Sequence, residues 1–117
     1  MPQFNFKKQF AADVESGKKR QTIRAKRRDG RNPRVGDKLY LFTGQRTKSC
    51  RKLGEAICKS VEQITIDEHG INVNGDWLTD RKRVNCAVAD GFENFGDMKE
   101  LFRKDYGLPF EGLLYKW

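Results

Sequence analysis

Apolar residues near the N-terminus recur at helical spacing. Phe6, Phe10 and Val14 fall at i, i+4 and i+8 with Ala11 beside them, which predicts a short amphipathic helix over 6–15. Gly17 follows the last periodic position, where glycine often caps a helix. KKRQTIR should therefore leave the cap as a loop and become extended at the β-branched Thr22 and Ile23. AKRRDGRNPR holds the turn pairs Asp29-Gly30 and Asn32-Pro33 and reads as surface loop. In VGDKLYLFTG the period changes to two: Leu39 and Leu41 on one face, Tyr40 and Phe42 on the other, a buried strand opened by a Gly-Asp turn.

Farther along, LGEAICKSVEQITI places Ala56, Cys58, Val61, Ile64 and Ile66 as one long or bulged strand pair over 53–66. Asn74-Gly75 in INVNGDWLT is a strong hairpin signal. Helical spacing returns at Met98, Leu101, Phe102 and Tyr106 and stops at Gly107 and Pro109, after which FEGLLYKW should dock as a final strand. Helix, several short strands, helix and last strand predict an α+β fold built on a small β-barrel with flanking short helices.

At 117 residues the chain suits one domain, 1–117, with one modest core. Hydrophobic residues make up 37% and include eight Phe, enough apolar area to offset chain ordering without disulfides. No apolar run approaches the roughly 18 to 20 residues that span a bilayer, and MPQFNFKKQF lacks the apolar stretch of a signal peptide, so a cytosolic location is expected. Cys50, Cys58 and Cys86 form an odd set without CxxC spacing, and His69, in the polar DEHG turn, is the one histidine. Neither a disulfide framework nor a structural zinc site is expected. The scattered acids can hold a divalent metal together with substrate phosphates, but none are clustered at ligand spacing, so no cofactor is assigned.

Charge changes the picture most. Residues 1–60 hold 17 Lys and Arg against 5 Asp and Glu, whereas residues 61–117 hold 7 against 11. The densest stretch, Lys18 to Arg34, carries nine cations and one acid, Asp29, and Arg46, Lys48, Arg51 and Lys52 follow as a second cluster. Such blocks suit a polyanion, because each phosphate neutralised releases condensed counterions. A membrane surface fits less well, since no basic amphipathic helix interleaves these cations with Phe, Leu or Trp.

Within that field, SGKKRQTIR from Ser16 to Arg24 is followed by VGDKLYLFTG, ADGFENFGDMKELFRKDYG and the terminal GLLYKW. In this order and spacing they resemble the ASCH domain, a relative of the PUA domain with a small β-barrel, over nearly the whole chain. The most specific part is the Gly-Lys-Lys-x-x-Thr-x-Arg run at Gly17 to Arg24, supported by Val35-Gly36-Asp37 and Asp90-Gly91-Phe92. The resemblance implies RNA as partner: some members bind it, one branch is described as cleaving it, and another resembles N4-acetylcytidine amidohydrolases. For that last branch it implies catalysis by a lysine, a threonine and an acid, which fall here on Lys19, Thr22 and Asp90, with Glu93 as the alternative acid. The branch carries glutamate where this chain offers Asp90.

Those residue types can support hydrolysis. A threonine hydroxyl attacks only once a base takes its proton, and a lysine serves as base only when its pKa has fallen toward neutrality. Lys18, Arg20 and Arg24 crowd Lys19 with like charge, which lowers its pKa, and burial acts in the same direction. In an extended segment Thr22 and Arg24 share a face about 7 Å apart, whereas Lys19 points the other way unless the chain bends at Lys19 to Gln21. Lys18, Arg20, Arg24, Lys26, Arg27, Arg28, Arg31 and Arg46 are the candidate RNA-binding cations. Tyr40, Phe42 and above all Trp77 are the candidate stacking surfaces. The expectation is a monomer that binds RNA or a ribonucleotide, with RNA cleavage or N4-acetylcytidine deacetylation at Lys19, Thr22 and Asp90. The alternative is a noncatalytic RNA-binding or protein-interaction module.

Overall fold

The computed structural model describes residues 2–117 and has three helices and eight strands in two sheets. The first element is β1 (Gln3–Phe6), which buries Phe4 and Phe6 and exposes Gln3 and Asn5. Phe6 therefore belongs to a strand of period two, and α1 (Lys8–Ser16) starts later than the helical spacing predicted, burying Phe10, Ala11 and Val14. Gly17 caps it in the left-handed region at φ 84°, its N–H reaching the Val14 carbonyl at 3.2 Å.

β2 (Gln21–Arg24) follows the cap, then β3 (Lys38–Thr43), β4 (Arg51–Ile57) and β5 (Ser60–Ile66). The expected strand pair over 53–66 does not form: β4 pairs with β3, while β5 pairs with a strand of the other sheet. Cys58 and Lys59 separate β4 from β5, and the chain passes from one sheet to the other there. Asn74 and Gly75 both have positive φ, 53° and 93°, and join β6 (Ile71–Val73) to β7 (Asp76–Trp77) in the expected hairpin.

The sequence pattern did not predict α2 (Asp80–Ala89). Its Val84 and Val88 face solvent and only Ala87 is buried, so no apolar stripe marks it, although the Thr79 hydroxyl caps it by accepting from the Lys82 N–H. α3 (Phe95–Tyr106) buries Met98 and Phe102 behind an Asn94 cap, and β8 (Phe110–Lys116) closes the chain.

β8 holds the molecule together. It lies between β2 and β5 in the sheet ordered β2-β8-β5-β6-β7, while β1, β3 and β4 form the second sheet. Its side chains alternate: Leu113 and Tyr115 pack with Phe4, Phe6, Phe10 and Leu39, and Phe110 and Leu114 pack with Ile64, Met98 and Phe102. A strand buried on both faces reads as a continuous apolar run, as LLY does here. Gly112 on this strand faces the end of β2: an added Cβ would stand 2.4 Å from the Arg24 carbonyl oxygen and 2.7 Å from the Phe110 ring. Gly112→Ala should therefore force β2 and β8 apart and cost about 1–3 kcal/mol, seen as a lower thermal midpoint; an unchanged midpoint would contradict this close approach.

Candidate active site

The bend that brings Lys19 inward is made by the end of α1. Past Gly17 the chain turns back, the Lys19 N–H bonds the Asp13 carbonyl at 2.9 Å, and β2 begins two residues later. Lys19 follows the turn at Gly17 and Lys18 and precedes β2, which carries Thr22, and both line the same cleft. Asp90 comes from the C-terminal cap of α2, where its N–H reaches the Cys86 carbonyl and the next residue, Gly91, takes φ 99°. A Cβ on Gly91 would meet the Phe10 ring at 2.7 Å and the Lys19 side chain at 3.5 Å. The bare glycine is what lets the end of α2 close on α1.

Lys19, Thr22 and Asp90 are 3%, 4% and 5% exposed, the burial of core residues. The Lys19 Nζ donates to the Asp90 carbonyl at 2.6 Å and to its Oδ1 at 3.0 Å, and lies 5.1 Å from the centre of the Phe10 ring. Gln21 Nε2 donates to the same Oδ1 at 3.4 Å. Burial pushes the Lys19 amine below its ordinary pKa, opposed by the Asp90 carboxylate, and Arg24 adds a smaller push in the same direction as burial. Burial likewise raises the Asp90 carboxyl, opposed by Lys19 and Gln21. The expected crowding by Lys18 and Arg20 is not the cause: both are exposed, where water screens them, with Arg20 Nε donating to the Trp117 carbonyl at 3.2 Å, and desolvation dominates.

Arg24 is also turned inward. Its Nε donates to the Thr22 hydroxyl oxygen at 2.9 Å, its Nη2 donates to the Asn5 carbonyl at 2.9 Å, and its guanidinium lies 4.9 Å from the Phe6 ring centre. Because Thr22 Oγ1 accepts from a cation, its own hydrogen is left to point elsewhere, and negative charge developing on that oxygen would be stabilised. The cleft formed around these groups encloses about 100 Å³, opens to solvent, and is walled by Phe6, Phe10, Phe92 and Phe102.

Lys19, Thr22, Arg24 and Asp90 are brought together, then, while the other sequence-predicted residues are not. Glu93 is exposed and borders a separate shallow depression beside Gln9 and Asp97. Lys18, Arg20, Lys26, Arg27, Arg28, Arg31 and Arg46 are exposed and outside the cleft lining. Arg46 remains close by, since the neighbouring Gln45 N–H bonds Asn5 Oδ1 at 3.0 Å and Asn5 lines the cleft. Trp77 is exposed as expected but packs beside Gly70, and neither it nor Tyr40 nor Phe42 lines the cleft. The aromatic at the mouth is Tyr106, 54% exposed and stacked on Phe102 at 5.8 Å. Helical spacing had marked Tyr106 only as a core position; its hydroxyl, three residues before Pro109 at a helix end, was the one available signal that it stays at the surface.

Among the described residues no group of His, Cys, Asp and Glu has metal-ligand geometry, no helix is long and apolar enough to cross a membrane, and Cys50, Cys58 and Cys86 are free thiols. No family model, curated protein or solved structure matches the chain.

The buried pair sets a stability test. Lys19→Met or Asp90→Leu alone leaves an uncompensated buried group and should cost about 3–5 kcal/mol, whereas the double variant should recover most of that loss. Denaturant unfolding of the three variants measures it, and additive losses in the double variant would contradict a coupled pair.

Proposed function

We propose that this chain is a hydrolase of the ASCH, PUA-like type that binds RNA or a ribonucleotide and cleaves an acyl amide such as that of N4-acetylcytidine. The single observation that carries the reading is the arrangement of Thr22 Oγ1 against Arg24, with the Lys19 amine and Asp90 buried in the same small cleft. Burying an ion pair costs several kcal/mol per ion before its attraction is counted, and apolar residues of similar volume would serve stability equally well. A chemical role accounts for retaining it.

The cleft volume of about 100 Å³ favours an amide on a base over a polymer threaded through the site. Cavities of roughly 150 Å³ hold one benzene-sized ring, so the enclosed part of this smaller cleft takes less than a full ring and the rest of an occupant would lie in its open mouth. The Lys19 nitrogen spends two hydrogens on Asp90; in its neutral form it keeps a lone pair, and burial favours that form. In the proposed sequence Lys19 takes the Thr22 proton as Oγ1 attacks the acetyl carbonyl. The resulting oxyanion is held by the Arg24 cation, and collapse breaks the C–N bond while Lys19 returns the proton to the departing amine. Water, deprotonated by Lys19, then attacks the threonine ester carbonyl, and the collapse that releases acetate breaks the C–Oγ1 bond and returns the proton from Lys19 to Thr22 Oγ1. Lys19 and Thr22 share no hydrogen bond, and substrate binding would bring them within reach of one another.

Thr22→Ala should abolish acetate release while leaving nucleoside affinity nearly intact. Lys19→Arg keeps the charge without a neutral amine and should lower the rate by roughly 10²–10⁴-fold. The active form is unprotonated Lys19, so kcat/KM should rise with pH and level off below the ordinary lysine pKa of 10.5, because burial lowers it. A flat profile, or full activity in Lys19→Arg, would remove Lys19 as the base. If the wild type releases no acetate from N4-acetylcytidine but binds RNA, the noncatalytic module is the correct reading. For the exposed cations, RNA affinity should fall with salt at a log–log slope of about 0.7 per phosphate contacted on a single strand; a flat titration would exclude the polyanion partner.

A further inference from the structure

The mouth of the cleft is bridged by one ion pair, Lys7 Nζ to Asp105 Oδ2 at 2.9 Å, and both residues line the cleft. Lys7 is the N-cap of α1 and makes no side-chain capping bond, and Asp105 lies in the last turn of α3. Each charge therefore sits at the helix end whose dipole disfavours it, and lysine replaces the Ser, Thr, Asp or Asn that would cap α1. Helix stability explains neither placement. The two side chains are 52% and 30% exposed, so their attraction is that of a surface pair and is broken at little cost.

From this geometry we infer that Lys7 is the phosphate-recognising residue of the cleft, with Asp105 holding it across the mouth until a phosphorylated ligand takes its place. The inference rests on the nucleotide-binding reading of the cleft and names its substrate class: a nucleotide or RNA rather than a free nucleoside. Inside, Lys19 is committed to Asp90, and Arg24 to Thr22 and Asn5. Of the cations that line the cleft, Lys7 alone has a partner exposed enough to be exchanged. A base seated among the phenylalanines would carry its sugar and phosphate outward past Tyr106, toward this pair. Asp105, left unpaired when phosphate arrives, opposes the anion and so sets a threshold against weak anions.

The test compares binding of cytidine with that of its 5′- and 3′-monophosphates, by calorimetry at low salt, in the wild type, Lys7→Gln and Asp105→Asn. The wild type should prefer at least one monophosphate. Lys7→Gln should erase that preference without changing cytidine affinity, and Asp105→Asn should raise monophosphate affinity by roughly two- to fivefold, the worth of an exposed pair. Melting temperatures of both variants report whether the pair only straps α1 to α3. A lowered melting temperature with unchanged discrimination between nucleoside and nucleotide would overturn the inference. Cytidine binding without any monophosphate preference in the wild type would overturn it while leaving the proposed function standing. No binding of either ligand would overturn both.

Discussion

The contact between Lys19 and Asp90 is the constraint around which the cleft is arranged. It joins the turn after α1 to the cap of α2, elements 71 residues apart in sequence, through two hydrogen bonds inside a low-dielectric interior. Two glycines make it possible for different reasons. Gly17 supplies the left-handed cap that turns the chain back, and Gly91 removes the Cβ that would collide with Phe10. The pair cannot be read as simple stabilisation, because desolvation pushes both groups toward neutrality while their attraction holds them charged. That balance gives a lysine whose proton is loosely held, which is the property general-base chemistry requires.

Much of the frame was legible in local pattern. Gly17 as a cap, the Asn74-Gly75 hairpin, the helix through Met98 and Phe102, and the last strand each carry a signal within a few residues of themselves. The α+β class follows from their order. What was not legible depends on distant partners. β1 looked helical because Phe6 lies four residues from Phe10, and only its pairing with β3 makes it a strand. α2 gave no stripe because Ala87 is its one fully buried residue, with only the partly buried Cys86 beside it against the core. The separation of β4 from β5 is decided by which edge each meets, a choice that alternation within one strand does not encode.

The site divides in the same way. Lys19, Thr22, Arg24 and Asp90 were identifiable as residue types at a spacing, but the reason Lys19 is perturbed was not. Sequence proximity suggested repulsion among neighbouring cations, and burial proves to be the larger effect. Charges at i and i±1 around a turn diverge, so Lys18 and Arg20 sit in water although they flank Lys19 in the chain. Tyr106 and Lys7 were missed for a related reason: both lie at helix ends, and their place at the cleft mouth is set by how α1 and α3 approach one another.

The concentration of positive charge from Lys18 to Arg34 thus has two physical populations. Lys19 and Arg24 are removed from water, and each is matched to a specific oxygen acceptor, Asp90 for one, Thr22 and Asn5 for the other. The rest remain hydrated, where their mutual repulsion is weakened over a Debye length of roughly 8 Å and costs the fold little. A segment that must supply buried cations at fixed positions and exposed ones on its flanks is dense in charge by construction. The buried members act through geometry and low dielectric, over hydrogen-bond distances of 2.6 to 3.0 Å. The exposed members act through long-range potential, which raises the local concentration of an anionic ligand without fixing its orientation. Under the proposed function, fixing orientation would fall to the cleft walls and mouth, which are lined by aromatic residues and helix-end charges rather than by the cation-rich loop.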